Sequence, residues 1–334
     1  MKLIIPFLCG AVAFLLTYFV TPWLVRYLKR INLVVVDQHK ENKPLVPISG
    51  GLSVLFGIMG GLMLFIFIRT FFQTRASLIL DGKSLSLLFA SVISILIITL
   101  IGFIDDLLIH KSHERSFGLK QWQKPLLTLA AAVPLMVVNA GKPYMIVPFV
   151  GWVDFGIIYP LLLVPLGVVG ASNMVNMLGG FNGMETGMAL IYLSSLGLYA
   201  YKFNRYIAAL IALMAFASVL AFYFYTKYPS KIFPGDSLTY LLGAILASIA
   251  IIGDLEQATL IISIPFIVEF FLKLKGKFQK QTYGYIEKGK IKSYYKKVYS
   301  IPHIFTRTGK FTEKQIVLFM WIIQGVFAFL IWII

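Results

Sequence analysis

Two adjacent carboxylates, Asp105 and Asp106, directly follow the apolar run at residues 96–104. Acidic residues at the end of an apolar segment are costly, and two neighbours repel each other unless a cation lies nearby. A hard cation such as Mg²⁺ prefers oxygen ligands and keeps water and substrate phosphates in its shell. The pair therefore predicts a divalent cation site, and the alternative is a capped, solvated helix end.

A polar, glycine-rich segment, SNMVNMLGGFNGME, occupies residues 172–185. Asn173 and Asn176 are three residues apart, so they share one face of a helix. The glycines that follow end the helix and let the backbone approach a ligand closely, and Asn182 and Glu185 lie among and after them. Amides and one carboxylate around such a turn suit a metal and a nucleotide, although a glycine-rich turn with incidental amides has the same pattern.

Three further motifs are less specific. The FPGDS motif carries Asp236, which could ligate a cation or cap a helix. The segment DQHKENKPLVPISGGL begins at Asp37 and otherwise reads as an ordinary charged loop. The segment IPHIFTRTG supplies His303 and Arg307, where a structural histidine is the simpler interpretation. Together the five motifs suit cation-assisted chemistry on phosphates.

The elements that must position these residues are helices in a membrane. Of 334 residues, 59% are hydrophobic and 13% are charged, whereas soluble domains are about 45–50% apolar and about 25% charged. About 20 apolar residues cross the hydrocarbon as a helix, because the backbone there must satisfy its own hydrogen bonds. We predict an all-α, polytopic membrane protein with about ten transmembrane helices in one domain, 1–334. The spans are Leu3–Val25, Gly50–Ile68, Leu85–Ile104, Pro125–Val138, Ile157–Ala171, Gly183–Tyr201, Tyr206–Tyr225, Ser237–Ile252, Ala258–Phe271 and Gln315–Ile334.

The distribution of basic residues predicts the orientation. With ten spans, 23 of the 30 Lys and Arg residues fall on one side, twelve of them in the basic loop 273–314. Cytoplasmic loops are enriched in Lys and Arg, so both termini are expected on the non-cytoplasmic side and all five motifs on the cytoplasmic face. The net charge of +16 is explained in this way without a nucleic acid partner. The apolar segment 144–155 contains Pro148 and Gly151, which favours a short outer hairpin over a span.

The order GFIDD, then NxxNxxxGxNGxE, then PGDS, then a basic loop containing PH resembles the polyprenyl-phosphate N-acetylhexosamine-1-phosphate transferase superfamily along essentially the whole chain. Bacterial relatives tend to carry aspartates where this chain has Gly179 and Asn182. The NGME ending is similar to the eukaryotic and archaeal branch, which uses UDP-N-acetylglucosamine and dolichyl phosphate. The resemblance implies that a lipid phosphate attacks the β-phosphate of a UDP-sugar and releases UMP, with Mg²⁺ required and Mn²⁺ as a substitute.

The resemblance also implies roles for individual residues. Asn176 and Asp236 would ligate the metal, and the catalytic pair Asp105 and Asp106 would lie beside it, with Asp105 as the expected base. Lys124 would hold the lipid phosphate, and Asn182 would contact the uracil. The residues expected to bind the nucleotide-sugar are Asp37, Asn173, Asn182, Glu185, His303 and Arg307.

Two alternatives stay open at this level. One is the same reaction with another UDP-hexosamine. The other is a lipid or solute transporter or flippase, which would need ionisable residues at mid-bilayer depth; Glu269 is the nearest case. The expected setting is a cell membrane or an endoplasmic-reticulum-type membrane, and a homodimer is implied by the resemblance alone.

Overall fold

The computed structural model describes residues 4–72, 81–109, 118–147 and 151–333. The predicted helical architecture is confirmed. Leu3, Pro148 and Ile334, which belong to predicted elements, lie outside the described residues. The helices are α1 (Ile4–Arg30), α2 (Gly51–Phe71), α3 (Gly82–Ile109), α4 (Gln123–Thr128), α5 (Val133–Val137), α6 (Val164–Met177), α7 (Met184–Lys202), α8 (Tyr206–Thr226), α9 (Gly235–Gly253), α10 (Glu256–Ile262), α11 (Ile264–Lys275), α12 (His303–Thr306) and α13 (Glu313–Leu330).

Every predicted span is mostly helical, but not every one is long and apolar. Seven helical segments of the described chain could cross a membrane by length and composition, and an eighth is obtained if α10 and α11 form one span. The 3₁₀ turn Leu129–Ala132 joins α4 to α5, and the resulting apolar segment is short. Helix α7 has 19 residues, but its serine, tyrosine and glycine residues lower its mean hydropathy. The protein is therefore a multi-pass membrane protein with at least seven helices of spanning character.

Helix α9 is the central helix, and glycines let its neighbours approach it closely. A Cβ atom at Gly102 of α3 would lie 2.4 Å from the Asp236 carbonyl oxygen. A Cβ atom at Gly243 of α9 would lie 2.4 Å from Ser172 Cα of α6. Small residues at helix contacts are the usual means of close packing in membranes. These contacts fix the distances between the three helices that carry most of the polar motifs.

Helices α10 and α11 form a bent pair, with an angle of 59° between them. Pro265 lies in the first turn of α11, and proline lacks the N–H group that would continue the hydrogen bonding of α10. The bend brings the end of α11, including Lys273, to the same end of the bundle as the polar motifs.

Three short β-hairpins interrupt the helices within the residues that the structure describes. The predicted hairpin at residues 144–155 is confirmed as β3 (Tyr144–Val147) paired with β4 (Gly151–Asp154). The all-α prediction missed the other two hairpins: β1 (Val34–Val36) with β2 (Leu45–Pro47), and β5 (Tyr285–Glu287) with β6 (Lys290–Lys292). Strands of three residues lack the alternating pattern that identifies longer strands in a sequence.

Candidate active site

The centre of the site is the Lys124 ammonium, which lies between two carboxylates. Its Nζ is 2.7 Å from Asp105 Oδ2 and 2.9 Å from Asp236 Oδ2. Asp105 is fully buried near the end of α3, and its Oδ1 accepts the Leu119 N–H at 2.6 Å. The side chains of Lys124 and Asp236 are 16% and 17% exposed, so the ion pair can be reached from solvent. A cation therefore lies at the surface of a strongly negative site.

Asp106 faces away from this lysine and supports the start of α9. Its Oδ1 accepts the Asp236 N–H at 2.7 Å, and its Oδ2 accepts the Ser237 N–H at 3.2 Å and the Ser49 hydroxyl at 2.7 Å. The first N–H groups of a helix lack partners within the helix. In α9 the Asp106 carboxylate, from α3, accepts two of them. Asp236 itself is not the N-cap. Gly235 is required at the turn, because its φ is +71° and a Cβ would lie 2.4 Å from Asp106 Oδ2.

The two asparagines of α6 both point towards the cleft. Asn176 Nδ2 donates to Asp236 Oδ2 at 3.2 Å, and its Oδ1 accepts the Thr239 hydroxyl at 2.7 Å. Asn173 Nδ2 donates to Thr128 Oγ1 at 3.1 Å. Asn176 therefore adds an amide to the Asp105–Asp236 pair, whereas Asn173 lies towards α4.

These side chains open onto a cleft with a volume of about 450 Å³. Its lining includes six of the predicted site residues, namely Asp37, Lys124, Asn173, Asn176, Glu185 and Asp236. Glu185 turns back onto its own glycine loop, where one oxygen accepts the Gly180 N–H at 2.8 Å. Tyr283 covers the cleft from the basic loop, and burial raises its pKa to about 12, so its hydroxyl stays protonated.

Three predicted residues lie elsewhere. Asn182 is 4% exposed, and its amide pairs with Asp37, Glu313 and the Ser230 N–H. His303 is fully buried; its Nδ1 accepts the Tyr299 N–H, and its Nε2 lies 3.0 Å from the Gln281 carbonyl oxygen. Burial, aided by the charge of Lys273, lowers the pKa of His303 to about 4, so the ring is neutral. Arg307 is exposed and does not line the cleft.

The donor set at the centre fits a magnesium ion. No cluster of three His, Cys, Asp or Glu side chains suited to a metal occurs among the described residues. The oxygens at hand come from Asp236, Asp105 and Asn176, and the negative charge of the two carboxylates already holds one cation, the Lys124 ammonium. Magnesium binds through one or two carboxylates, water and substrate phosphates rather than in an all-protein cage.

Sequence reasoning missed several residues that hold the site together. Thr239 follows Asp236 by three residues, so the helical spacing alone could have placed it on the same face. Ser49 and Glu313 gave no such signal, because Ser49 binds Asp106, 57 residues away, and Glu313 binds Lys40, 273 residues away.

Comparison with known proteins identifies the family of this chain. The family model for glycosyl transferase family 4 matches residues 87–254, half of the chain. A Saccharolobus solfataricus protein is 33% identical over 95% of this chain and 92% of its own length, and a Sulfolobus acidocaldarius protein is 30% identical over 96% and 93%. Both are provisionally named UDP-N-acetylglucosamine–dolichyl-phosphate N-acetylglucosaminephosphotransferase. A Dictyostelium discoideum protein with that name is 26% identical over 93% and 83%. This chain belongs to glycosyl transferase family 4, in the eukaryotic and archaeal branch of its polyprenyl-phosphate N-acetylhexosamine-1-phosphate transferases.

Proposed function

We propose that this protein transfers N-acetylglucosamine 1-phosphate from UDP-N-acetylglucosamine to the phosphate of a dolichyl or related polyprenyl lipid. The products are UMP and the lipid-diphosphate sugar that starts assembly of an N-linked or cell-surface glycan. The observation that carries the proposal is the Lys124 ammonium held between Asp105 and Asp236 at the edge of an open cleft. A cation presented in this way suits a phosphate that arrives from the membrane.

Lys124 would bind the lipid phosphate, because an ammonium donates to phosphate oxygens as a mobile point charge. Asp105 Oδ2 pairs with Lys124, so movement of the ammonium towards the phosphate frees that oxygen to accept a proton. Asp236 and Asn176 would hold Mg²⁺, and Mn²⁺ has the same preference for oxygen ligands. The bound metal would neutralise the charge that develops on the phosphates.

The proposed topology has ten spans, with both termini outside and the site facing the cytoplasm. The bend between α10 and α11 would then lie within one span, and α4–α5 and α7 would supply the two spans that length and composition leave out. The support is the one-sided distribution of Lys and Arg. The polar motifs also share one end of the bundle: α3 and α6 end there, and α7 and α9 begin there. The homodimer implied by the resemblance is part of the proposal and can be tested by the mass of the purified particle.

Purified protein in lipid vesicles provides the direct test. With UDP-N-acetylglucosamine, dolichyl phosphate and Mg²⁺, we expect UMP and a lipid-linked N-acetylglucosamine diphosphate in equal amounts. Parallel reactions with UDP-N-acetylgalactosamine and UDP-glucose measure the sugar preference. Absence of UMP with every UDP-sugar refutes the proposal, and passage of an unaltered substrate across the vesicle would favour a transporter.

A further inference from the structure

The Glu313 carboxylate is the centre of a buried polar cluster behind the cleft. Glu313 is the first residue of α13 and is 4% exposed. Its Oε1 accepts the Asn182 N–H at 2.8 Å and Asn182 Nδ2 at 2.7 Å, and its Oε2 lies 2.6 Å from Lys40 Nζ. Both oxygens are thus occupied by groups from two distant loops, and Glu313 itself does not line the cleft.

Asp37 is the second carboxylate of this cluster. Its Oδ2 accepts Asn182 Nδ2 at 3.1 Å and lies 3.4 Å from Lys40 Nζ, while its Oδ1 accepts the His39 N–H at 3.1 Å. The Asn182 Oδ1 atom accepts a hydrogen bond from the Ser230 N–H at 2.7 Å. Asp37, Lys40, Asn182 and Glu313, called here the Glu313 cluster, therefore pair with one another; Lys40 is 13% exposed, and the other three side chains are buried.

The Glu313 cluster holds three parts of the cleft wall. Asp37 is itself a lining residue, and Phe181, which precedes Asn182, is another. The Phe181 ring stacks on His39 with 4.5 Å between centroids, and His39 Nδ1 lies 3.6 Å from Glu313 Oε1. His39 Nε2 in turn accepts the Gly284 N–H at 3.3 Å, next to the lining residue Tyr283. None of these contacts involves Lys124, Asp105 or Asp236.

We propose that Glu313 is a positioning residue for the nucleotide-sugar, acting through Asn182 and Asp37; this inference depends on the function proposed above. The wall that Glu313 supports consists of a glycine loop, a strand edge and aromatic rings, which suit a base and a sugar. The ammonium proposed to bind phosphate, Lys124, lies separately between Asp105 and Asp236. Asn182 would then act from behind the wall, since its amide is already fully paired.

Substitution of Glu313 should affect binding of the nucleotide-sugar more than binding of the lipid. Glu313→Gln keeps the volume and one acceptor oxygen, but it leaves the mostly buried Lys40 charge with Asp37 as its remaining anionic partner. Breaking one partner of a buried ion pair is strongly unfavourable, so Lys40 and the loop at residues 180–183 must rearrange. We expect KM for UDP-N-acetylglucosamine to rise about tenfold, with kcat and KM for polyprenyl phosphate changed less than about twofold.

Hydrogen exchange provides a measurement that does not depend on turnover. In Glu313→Gln, amides of residues 179–183 should exchange faster, while those at residues 236–240 should keep the wild-type rate. Glu287→Gln is the matched control, because Glu287 is also paired with a lysine, Lys292, but is 46% exposed on a hairpin. Lys40→Met should reproduce the Glu313→Gln pattern from the other side of the ion pair.

The outcomes separate this inference from the proposed function. Unchanged KM and unchanged exchange in Glu313→Gln overturn the inference, as does an equal effect on both substrates and kcat. Wild-type protein that forms no product refutes the proposed function, and the exchange at residues 179–183 still decides whether Glu313 holds the loop.

Discussion

Asp106 and Asp236 are 130 residues apart in the chain, yet the Asp106 carboxylate accepts the Asp236 N–H at 2.7 Å. The neighbouring Asp105 instead accepts the Leu119 N–H and pairs with Lys124. Successive side chains on a helix point about 100° apart, so the two adjacent aspartates of α3 point in different directions. One of them holds the start of α9 in place, and the other belongs to the charged centre of the site.

This division predicts different behaviour for the two substitutions. Asp106→Asn removes at least one charged hydrogen bond, each worth about 1.5–3 kcal/mol, and displaces the turn that carries Asp236. We expect a lower melting temperature together with a turnover at least about 100-fold lower. Asp105→Asn should abolish turnover with a smaller loss of thermal stability, because Lys124 keeps Asp236 as a partner. Thermal unfolding in detergent and initial rates measure both. Equal melting temperatures for the two variants would contradict the assignment.

Lys124 provides the second prediction. Lys124→Met removes the cation between Asp105 and Asp236, so the two carboxylates repel each other and the lipid phosphate loses its ammonium. We expect kcat/KM for polyprenyl phosphate to fall at least about 100-fold. Lys124→Arg should restore little, because a planar guanidinium does not replace a compact ammonium. Lys120→Met is the matched control, since Lys120 is exposed on the preceding turn. A similar loss in both variants would show a general effect of charge.

The sequence was sufficient to predict helices, their one-sided polar ends and the residues around Lys124, but not the fate of Asn182 and His303. Helical periodicity and motif spacing report which residues share a face or a loop. They do not report the competing partner of a polar side chain. Asn182 pairs with Glu313, 131 residues later. Glu313 belongs to none of the five motifs and stands just before the last predicted span. Burial lowers the pKa of His303 and keeps its ring neutral. The loop that buries it has no periodic pattern from which this burial could be predicted.

Metal removal is the third prediction. Chelation with EDTA should abolish turnover, and added Mg²⁺ should restore it, because Asp236 and Asn176 carry no positive charge that could neutralise the substrate phosphates in place of the ion. Independently of activity, Mg²⁺ should raise the melting temperature of the wild type, since a ligand that binds only the folded state stabilises it. Asp236→Asn should lose most of that stabilisation. Equal stabilisation of wild type and variant by Mg²⁺ would place the ion elsewhere.

The topology can be tested with single cysteines. Cys9, the only cysteine of the chain, is fully buried, and Cys9→Ala gives a clean background. In intact cells, a membrane-impermeant maleimide should label Lys83→Cys, at the start of α3, but not Lys120→Cys beyond its end. Permeabilised cells should show labelling at both positions, because both side chains are exposed. The reverse pattern in intact cells would place the cleft on the outer side.

The pH dependence of stability gives the last prediction, through His303. Its pKa is lowered to about 4 in the folded protein, chiefly by burial, whereas an unfolded histidine has a pKa of about 6.5. Between these values the unfolded chain binds more protons, so the free energy of unfolding falls as the pH drops from about 6.5 to about 4, by up to about 3 kcal/mol. Above about pH 6.5 His303 is neutral in both the folded and the unfolded protein, so it no longer makes the free energy of unfolding depend on pH.

His303→Gln provides the matched variant, because its amide can still donate to the Gln281 carbonyl oxygen but cannot titrate. Melting temperatures of wild type and variant, measured from pH 4 to 8, should diverge only below about pH 6.5, with the wild type losing more stability. Turnover at pH 7.5 should change little, since His303 is buried outside the cleft. Parallel pH profiles would contradict the assignment, because they would mean that the imidazole binds protons equally in the folded and the unfolded protein.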